Sequence, residues 1–234
     1  MKDIFKAHDI EWNSQHGQRI WDYYGSNEGY SDQYFSMLFG KAILKYVGKH
    51  VSIHGTVADY GCGTGHMMEH IMSDGKTKTI GFDFSEDSID KSNKKVSGNI
   101  NNLGNFYTSK LPFLVEEDSA DMLMMIEVIE HIDDSLLMES LKEARRLLRK
   151  SGVVVITTPN DEDLNKSKTI CPECGCIFHK WQHVRKWSSS SLEKVMIEAG
   201  FEAIQIGTTT WQTEGSGPLQ KLYRSFTKFL GRKK

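Results

Sequence analysis

Val57-Ala-Asp-Tyr-Gly-Cys-Gly-Thr-Gly65 is the stretch on which the reading of this chain turns. A short apolar run carries one acid, Asp59, and leads straight into three glycines at alternate positions, Gly61, Gly63 and Gly65. Glycine tolerates φ > 0 and lets backbone approach a ligand closely. The next residues, His66 to Ile71, suit a helix whose free N–H groups and dipole point back at the loop. Strand, glycine loop and helix in that order make a nucleotide-type binding corner at the carboxyl end of a sheet strand. The dinucleotide pattern G-x-G-x-x-G, started at Gly61, needs a glycine at position 66, and the chain has His66 there.

Working outward, strands and helices alternate. Thr79–Phe84 reads as a second buried strand containing Asp83, about 20 residues beyond the glycine loop, where an acid would hold ribose hydroxyls. Ser85 caps a helix towards Val96, with Glu86 and Asp87 in its first turn. Asn105–Tyr107 is a short third strand, and the unbroken apolar run Asp121–Ile126 is a central parallel strand covered on both faces. A helix from about Ser135 to Leu148 is closed by Gly152, and Val153–Thr158 is a fifth strand. Ser190 with Glu193 forms a capping box for a helix ending at Gly200, before a sixth strand, Phe201–Ile206. The pattern is α/β, a doubly wound Rossmann-like sheet, mostly parallel.

Three segments fall outside this alternation. Residues 1–50 are rich in aromatic side chains (Trp12, Trp21, Tyr23, Tyr24, Tyr30, Tyr34, Phe35) and contain a helix from Tyr34 to Val47, preceded by a loose stretch around Gly25 to Gly29. Two readings are open for them, packing against the core or a lid over a bound cofactor. The main domain, 51–218, holds an insertion at 168–186 with three of the four cysteines, and 219–234 form a tail. Leu219, Leu222, Tyr223, Phe226, Phe229 and Leu230 recur there at helical spacing among six basic residues, Lys221, Arg224, Lys228, Arg232, Lys233 and Lys234. Such a helix would lie on an anionic membrane or dock on the sheet with a basic end.

The chain has 234 residues, 38% hydrophobic and 26% charged, with a formal net charge of −2. That composition describes one globular α/β domain with room for a modest insertion. It offers no basis for nucleic-acid binding, and no apolar run reaches the roughly 20 residues of a membrane span. Without a signal-peptide core at the N-terminus, the expected location is the cytoplasm, at the inner face of the membrane if the tail binds lipid.

Taken together, Asp59-Tyr-Gly-Cys-Gly-Thr-Gly, Gly81-Phe-Asp-Phe-Ser, Leu111-Pro-Phe with Ser119-Ala-Asp-Met, Glu127-Val-Ile-Glu-His-Ile and Leu148-Arg-Lys-Ser-Gly resemble the motifs of class I S-adenosylmethionine-dependent methyltransferases. The branch they most resemble contains ubiquinone-pathway O-methyltransferases and enzymes encoded with bacterial polysaccharide genes. This resemblance implies a class I methyltransferase fold binding S-adenosyl-L-methionine. Gly61, Gly63 and Gly65 would pack on its methionine and ribose, and Asp59 would support the loop and the amino group. Asp83 would hold the ribose hydroxyls and Glu127 would lie beside the sulfonium. Relatives place an acid or amide against the adenine after the third strand; this chain has Thr108, Ser109 and Lys110, of which Ser109 is the candidate.

For the chemistry, a hydroxyl acceptor benefits from a general base or a metal. His131, after Glu127 and Glu130, is a candidate base, or a residue that caps the following helix near Asp133 and Asp134. In the insertion, Cys171-Pro-Glu-Cys-Gly is a zinc-knuckle sequence, and Cys171, Cys174, His179 and His183 would complete a tetrahedral Zn²⁺ site with Cys176 spare. The alternative is a loop of reduced thiols. His183 serves either as a zinc ligand or as the base. The expected activity is O-methylation of a glycan or lipid-linked glycan hydroxyl. A quinone or other small-molecule acceptor is the alternative. The rival classes are a nicotinamide-dependent oxidoreductase and a non-catalytic zinc-containing interaction protein.

Overall fold

The computed structural model describes residues 5–30, 33–210 and 225–234. Its centre is a seven-stranded sheet. In chain order the strands are β2 (Thr56–Tyr60), β3 (Lys78–Asp83), β4 (Asn102–Tyr107), β5 (Ala120–Ile126), β6 (Leu148–Pro159), β9 (Phe201–Thr210) and β10 (Ser225–Lys233). Their spatial order is β4-β3-β2-β5-β6-β10-β9, parallel from β4 to β6, with β10 antiparallel to both its neighbours. The doubly wound reading is therefore correct. The order reverses between β2 and β5, so the carboxyl ends of β2, β3 and β5 open onto a crevice, the place where such sheets bind ligands.

Both faces of the sheet are covered, as the continuous apolar strands require. Along β5, Met122, Met124 and Ile126 belong to a core shared with Phe39 and Ile43 of α2 (Phe35–Val47) and with Met67 and Ile71 of α3 (His66–Met72). Leu123 and Met125 point the other way, into a core with Leu137 and Leu141 of α5 (Asp134–Leu147) and with Leu192 and Met196 of α6 (Ser189–Glu198). Helix α4 (Glu86–Lys95) starts where expected, the Ser85 side chain accepting from the Ser88 N–H. Asp133 caps α5 by accepting from the N–H groups of Ser135 and Leu136.

Two helix boundaries differ from the sequence reading. The capping box of α6 is Ser188 with Ser191, two residues before the expected Ser190 and Glu193. Helix α5 passes directly into β6 at Leu148, so Gly152 lies inside a strand instead of closing the helix. Gly152 is needed there because a Cβ would sit 2.9 Å from the Arg149 carbonyl oxygen.

The largest correction concerns the tail. Residues 211–224 lie outside those described, but 225–233 form strand β10, not an amphipathic helix. Phe226 and Leu230 join the α2 face and Phe229 the opposite core. With both faces buried, the alternation of a strand is invisible in the sequence, and 226, 229 and 230 mimic helical spacing. Lys228, 8% exposed, places its ammonium 3.8 Å from the Tyr46 ring centroid, and Lys233 pairs with Asp118 at 2.7 Å. The membrane-binding helix loses its ground in these residues. Among the described residues, no helix is long and apolar enough to cross a membrane.

The N-terminal segment adds helix α1 (Ser14–Ser26), capped by Asn13, in a stretch the sequence left as either aromatic packing or a lid. The insertion adds a hairpin of β7 (Lys168–Ile170) and β8 (Cys176–His179), extended by β1 (His8–Asp9) alongside β8. Helix and insertion interlock. The Trp21 indole N–H donates to Gln182 Oε1 at 2.8 Å, and the Tyr24 hydroxyl donates to the Lys180 carbonyl. Together they roof the crevice.

Candidate cofactor and acceptor site

Under that roof lies a cavity of about 880 Å³, within the usual range for a ligand site. Its floor is the glycine loop. Gly61 has φ +81°, and a Cβ on it would lie 2.5 Å from Val128 Cγ2, so no larger residue fits. Gly63 has φ +49°, and the Tyr34 ring lies against it. Gly61 and Gly63 line the cavity. Gly65 instead starts α3 with φ +86° and faces Ser92 of α4, where a Cβ would meet the hydroxyl at 2.6 Å. Its role is to let the two helices approach, and His66 follows it as the first residue of α3.

Asp83 ends β3 and lines the cavity. Its Oδ2 accepts from the Gly63 N–H at 2.8 Å and its Oδ1 from the Ser85 N–H at 2.9 Å, so one carboxylate ties the glycine loop to the cap of α4. Burial pushes its carboxyl up to about 6, against those hydrogen bonds. Asp59 lies beneath the loop, 2% exposed, and its Oδ2 has no hydrogen-bond partner. Burial, and then the nearby Asp83 charge, push Asp59 up to about 7. A cationic ligand group is the natural complement of two buried carboxyls. S-adenosylmethionine, with an ammonium group and a ribose, fits this corner. Ser109 and Glu127 line the same cavity.

These raised values make a pH prediction. Folded Asp59 holds its proton to about 7, whereas an unfolded aspartate releases it near ~4. Its contribution to stability is thus complete below ~4 and is lost as pH rises through about 7. His66, lowered to about 4 by burial, runs the opposite way, so the effect is read as a difference between proteins. In cofactor-free protein, the melting temperature of Asp59→Asn should rise relative to wild type between roughly pH 5 and pH 8. A constant difference across that range would contradict the assignment.

Beside the glycine loop, the wall after β5 carries the polar groups of the Glu127-Val-Ile-Glu-His motif. Glu127, at φ +54°, accepts from the Thr157 hydroxyl at 2.8 Å. Glu130 is 1% exposed, its Oε2 accepts from the Thr158 hydroxyl at 2.9 Å, and burial pushes its carboxyl up to about 7. His131 lies edge-on to Trp21, with ring centroids 4.8 Å apart, and burial followed by the His183 charge hold it well below the usual histidine range. It is therefore neutral at physiological pH. His183 stands 4.9 Å from His131 by ring centroids. The two histidines singled out as catalytic candidates thus meet, although 52 positions separate them in sequence.

The expected zinc set does not assemble. Strand β8 has Cys176 at one end and His179 at the other, three residues or ~10 Å apart along an extended strand. The knuckle itself is formed, with the Gly175 N–H donating to the Cys171 carbonyl at 2.9 Å. His179 and His183, however, turn away from Cys171 and Cys174 and gather around Glu162. Among the described residues, the groups of three or more ligand atoms within 4.8 Å of one another are Glu130–His131–His183 and Glu162–His179–His183, neither with a cysteine.

One contributor, Glu162, was missed in the sequence. Glu162 sits in an acidic loop indistinguishable from a solvated turn. Trp21, Gln182 and Trp181 line the cavity only because α1 and the insertion come together over it. The aromatic density of residues 1–50 was the available signal for the roof.

Comparison with known proteins agrees with this architecture. Solved structures with the same fold include a SAM-dependent methyltransferase from Thermotoga maritima (20% identity, 92% of this chain and 99% of that one, TM-score 0.63). Another is from Methanosarcina mazei (14% identity, 80% and 96%, TM-score 0.61), and a third from Aquifex aeolicus (14% identity, 95% and 99%, TM-score 0.58). No curated protein matches. A family described as a methyltransferase domain, Methyltransf_23, matches residues 38–206, which span the glycine loop, Asp83, the Glu127–His131 motif and the insertion. With that match over most of its length, and a corner whose buried acids and glycines suit S-adenosylmethionine, the chain belongs to the methyltransferase-domain family.

Proposed function

We propose that this methyltransferase acts on a hydroxyl group, carried by a glycan or another small ring-bearing acceptor. The observation that carries the reading is the pairing of two unlike walls in one cavity. Trp12, Trp21, Tyr24 and Trp181 offer flat apolar faces, and Glu130, His131 and His183 line the same cavity. Aromatic faces suit the apolar side of a sugar or quinol ring, and the polar cluster suits an acceptor that must lose a proton.

Bound S-adenosylmethionine supplies an electrophilic methyl group on a sulfonium. The chain's own work is placement and proton management. Gly61, Gly63 and Asp83 would hold the nucleoside end, Asp59 would support the glycine loop from beneath, and α1 with the insertion would keep water from the reacting atoms. An aliphatic hydroxyl is a weak nucleophile at neutral pH, so the Glu130–His131–His183 wall would promote its ionisation. A carboxylate acceptor would need no such help.

Transfer of a labelled methyl group into an envelope-glycan extract, with simple phenols in parallel, tests the bond formed. The product should be an ether, neutral and stable to mild base. A base-labile ester, or a product that gains positive charge, would contradict the hydroxyl reading.

A further inference from the structure

The wall formed by Glu130, His131 and His183 is built like a metal centre. Its three ligand atoms lie within 4.8 Å of one another. They come from separate parts of the chain, the loop after β5 and the loop after β8. Glu130 Oε2 is fixed by the Thr158 hydroxyl, while Oε1 is buried without a hydrogen-bond partner, 3.9 Å from His131 Nε2.

Both imidazoles are oriented from behind. His131 Nδ1 lies 3.4 Å from the Gln182 carbonyl oxygen, and His183 Nδ1 lies against the Glu162 carboxylate. An Nδ1–H donated to an oxygen fixes the tautomer whose Nε2 carries the lone pair. Gln182 is itself held by Trp21 of α1 and donates to the His131 carbonyl at 2.9 Å. The His183 backbone N–H donates to His179 Nδ1 at 3.1 Å, which fixes the His179 ring beside His183. Two imidazoles and one carboxylate, with a cavity on their open side, form the two-histidine, one-carboxylate arrangement that takes a divalent transition metal. The buried Glu130 in this cluster, with the half-buried Glu162 behind His183, also calls for a compensating positive charge.

We propose that Glu130, His131 and His183 bind one divalent cation of the first transition row, with Glu162 as the carboxylate supporting His183 and open positions facing the acceptor. Its chemical role rests on the hydroxyl-acceptor reading; its binding does not. The acceptor oxygen coordinates the cation, which lowers the pKa of the hydroxyl. The O–H bond breaks and the proton leaves to solvent. The O–CH₃ bond then forms as the S–CH₃ bond breaks, the electron pair staying on sulfur, to give a methyl ether and S-adenosylhomocysteine. The Cys171 knuckle lies apart from this site.

Cobalt(II) titrated into chelator-treated full-length protein, without acceptor or cofactor, tests the proposal. One equivalent should bind with visible d–d absorption and no thiolate-to-cobalt charge-transfer band. His131→Ala and His183→Ala should each weaken binding at least 10-fold, whereas Cys171→Ser should leave it unchanged. S-adenosylmethionine binding by each variant reports that it is folded. No cobalt bound by wild type, or a spectrum dominated by thiolate charge transfer, would overturn the proposal. The wild-type spectrum decides the question even if a histidine variant does not fold. Because no turnover is measured, a failed metal site is distinguishable from a wrong acceptor class.

Discussion

Asp83→Ala is expected to weaken S-adenosylmethionine binding by about two orders of magnitude while leaving the protein folded. The Asp83 carboxylate accepts from the N–H groups of Gly63 and Ser85, so it shapes the corner as well as facing the cavity. Hydrogen bonds to a charged group contribute ~1.5–3 kcal/mol each. Losing two of them from the ribose hydroxyls would cost ~3 kcal/mol or more, about 10²-fold in Kd. Asp83→Asn, which keeps one acceptor oxygen, should fall between. Calorimetric titration of the three proteins, with melting curves as the control for folding, checks the ordering. An alanine variant within threefold of wild type would remove Asp83 from the binding site.

The second large effect is on stability. Phe229→Asp should destabilise the protein by more than ~4 kcal/mol, because it puts a carboxylate into a fully buried position of β10 with no partner. For a chain of this size that is a loss of roughly 8–16 °C in melting temperature. Lys234→Ala, at the exposed end, should change little. An amphipathic surface helix would respond differently, since its apolar face would be open and an added acid would cost little stability. Thermal unfolding thus separates the inserted strand from the helix that the spacing of Phe226, Phe229 and Leu230 suggested. An unchanged melting temperature for Phe229→Asp would contradict the strand.

The strand and the cofactor corner were not equally legible. Val57–Gly65 could be read directly, because glycines at φ +81° and +49° and an acid at the end of the next strand are local requirements with local signatures. Parallel strands such as β5 were legible for a related reason: burial on both faces leaves an unbroken apolar run. The same double burial hid β10, since a strand without alternation looks like a helix whenever charged residues fall between its apolar ones. The acceptor wall was half legible. Glu127, Glu130 and His131 stand together in the chain, but their partner His183 and its support Glu162 arrive through the insertion. Only the fold says that His183 faces His131 and not the cysteines. Cys171-Pro-Glu-Cys174-Gly reads as a zinc knuckle, and its turn does form. Of the two histidines expected beside it, His179 lies at the far end of β8 and His183 in the loop beyond, a separation that the strand geometry imposes and the spacing in sequence conceals.

The central claim is that the corner of Gly61, Gly63, Asp59 and Asp83 binds an adenosyl ligand with a cationic amino-acid end. Isothermal titration of the wild-type chain with S-adenosylmethionine tests it most directly, with NADH titrated in parallel. One site per chain with micromolar affinity is expected, displaced by S-adenosylhomocysteine, with no heat from NADH. Saturable NADH binding, with none by S-adenosylmethionine, would contradict it.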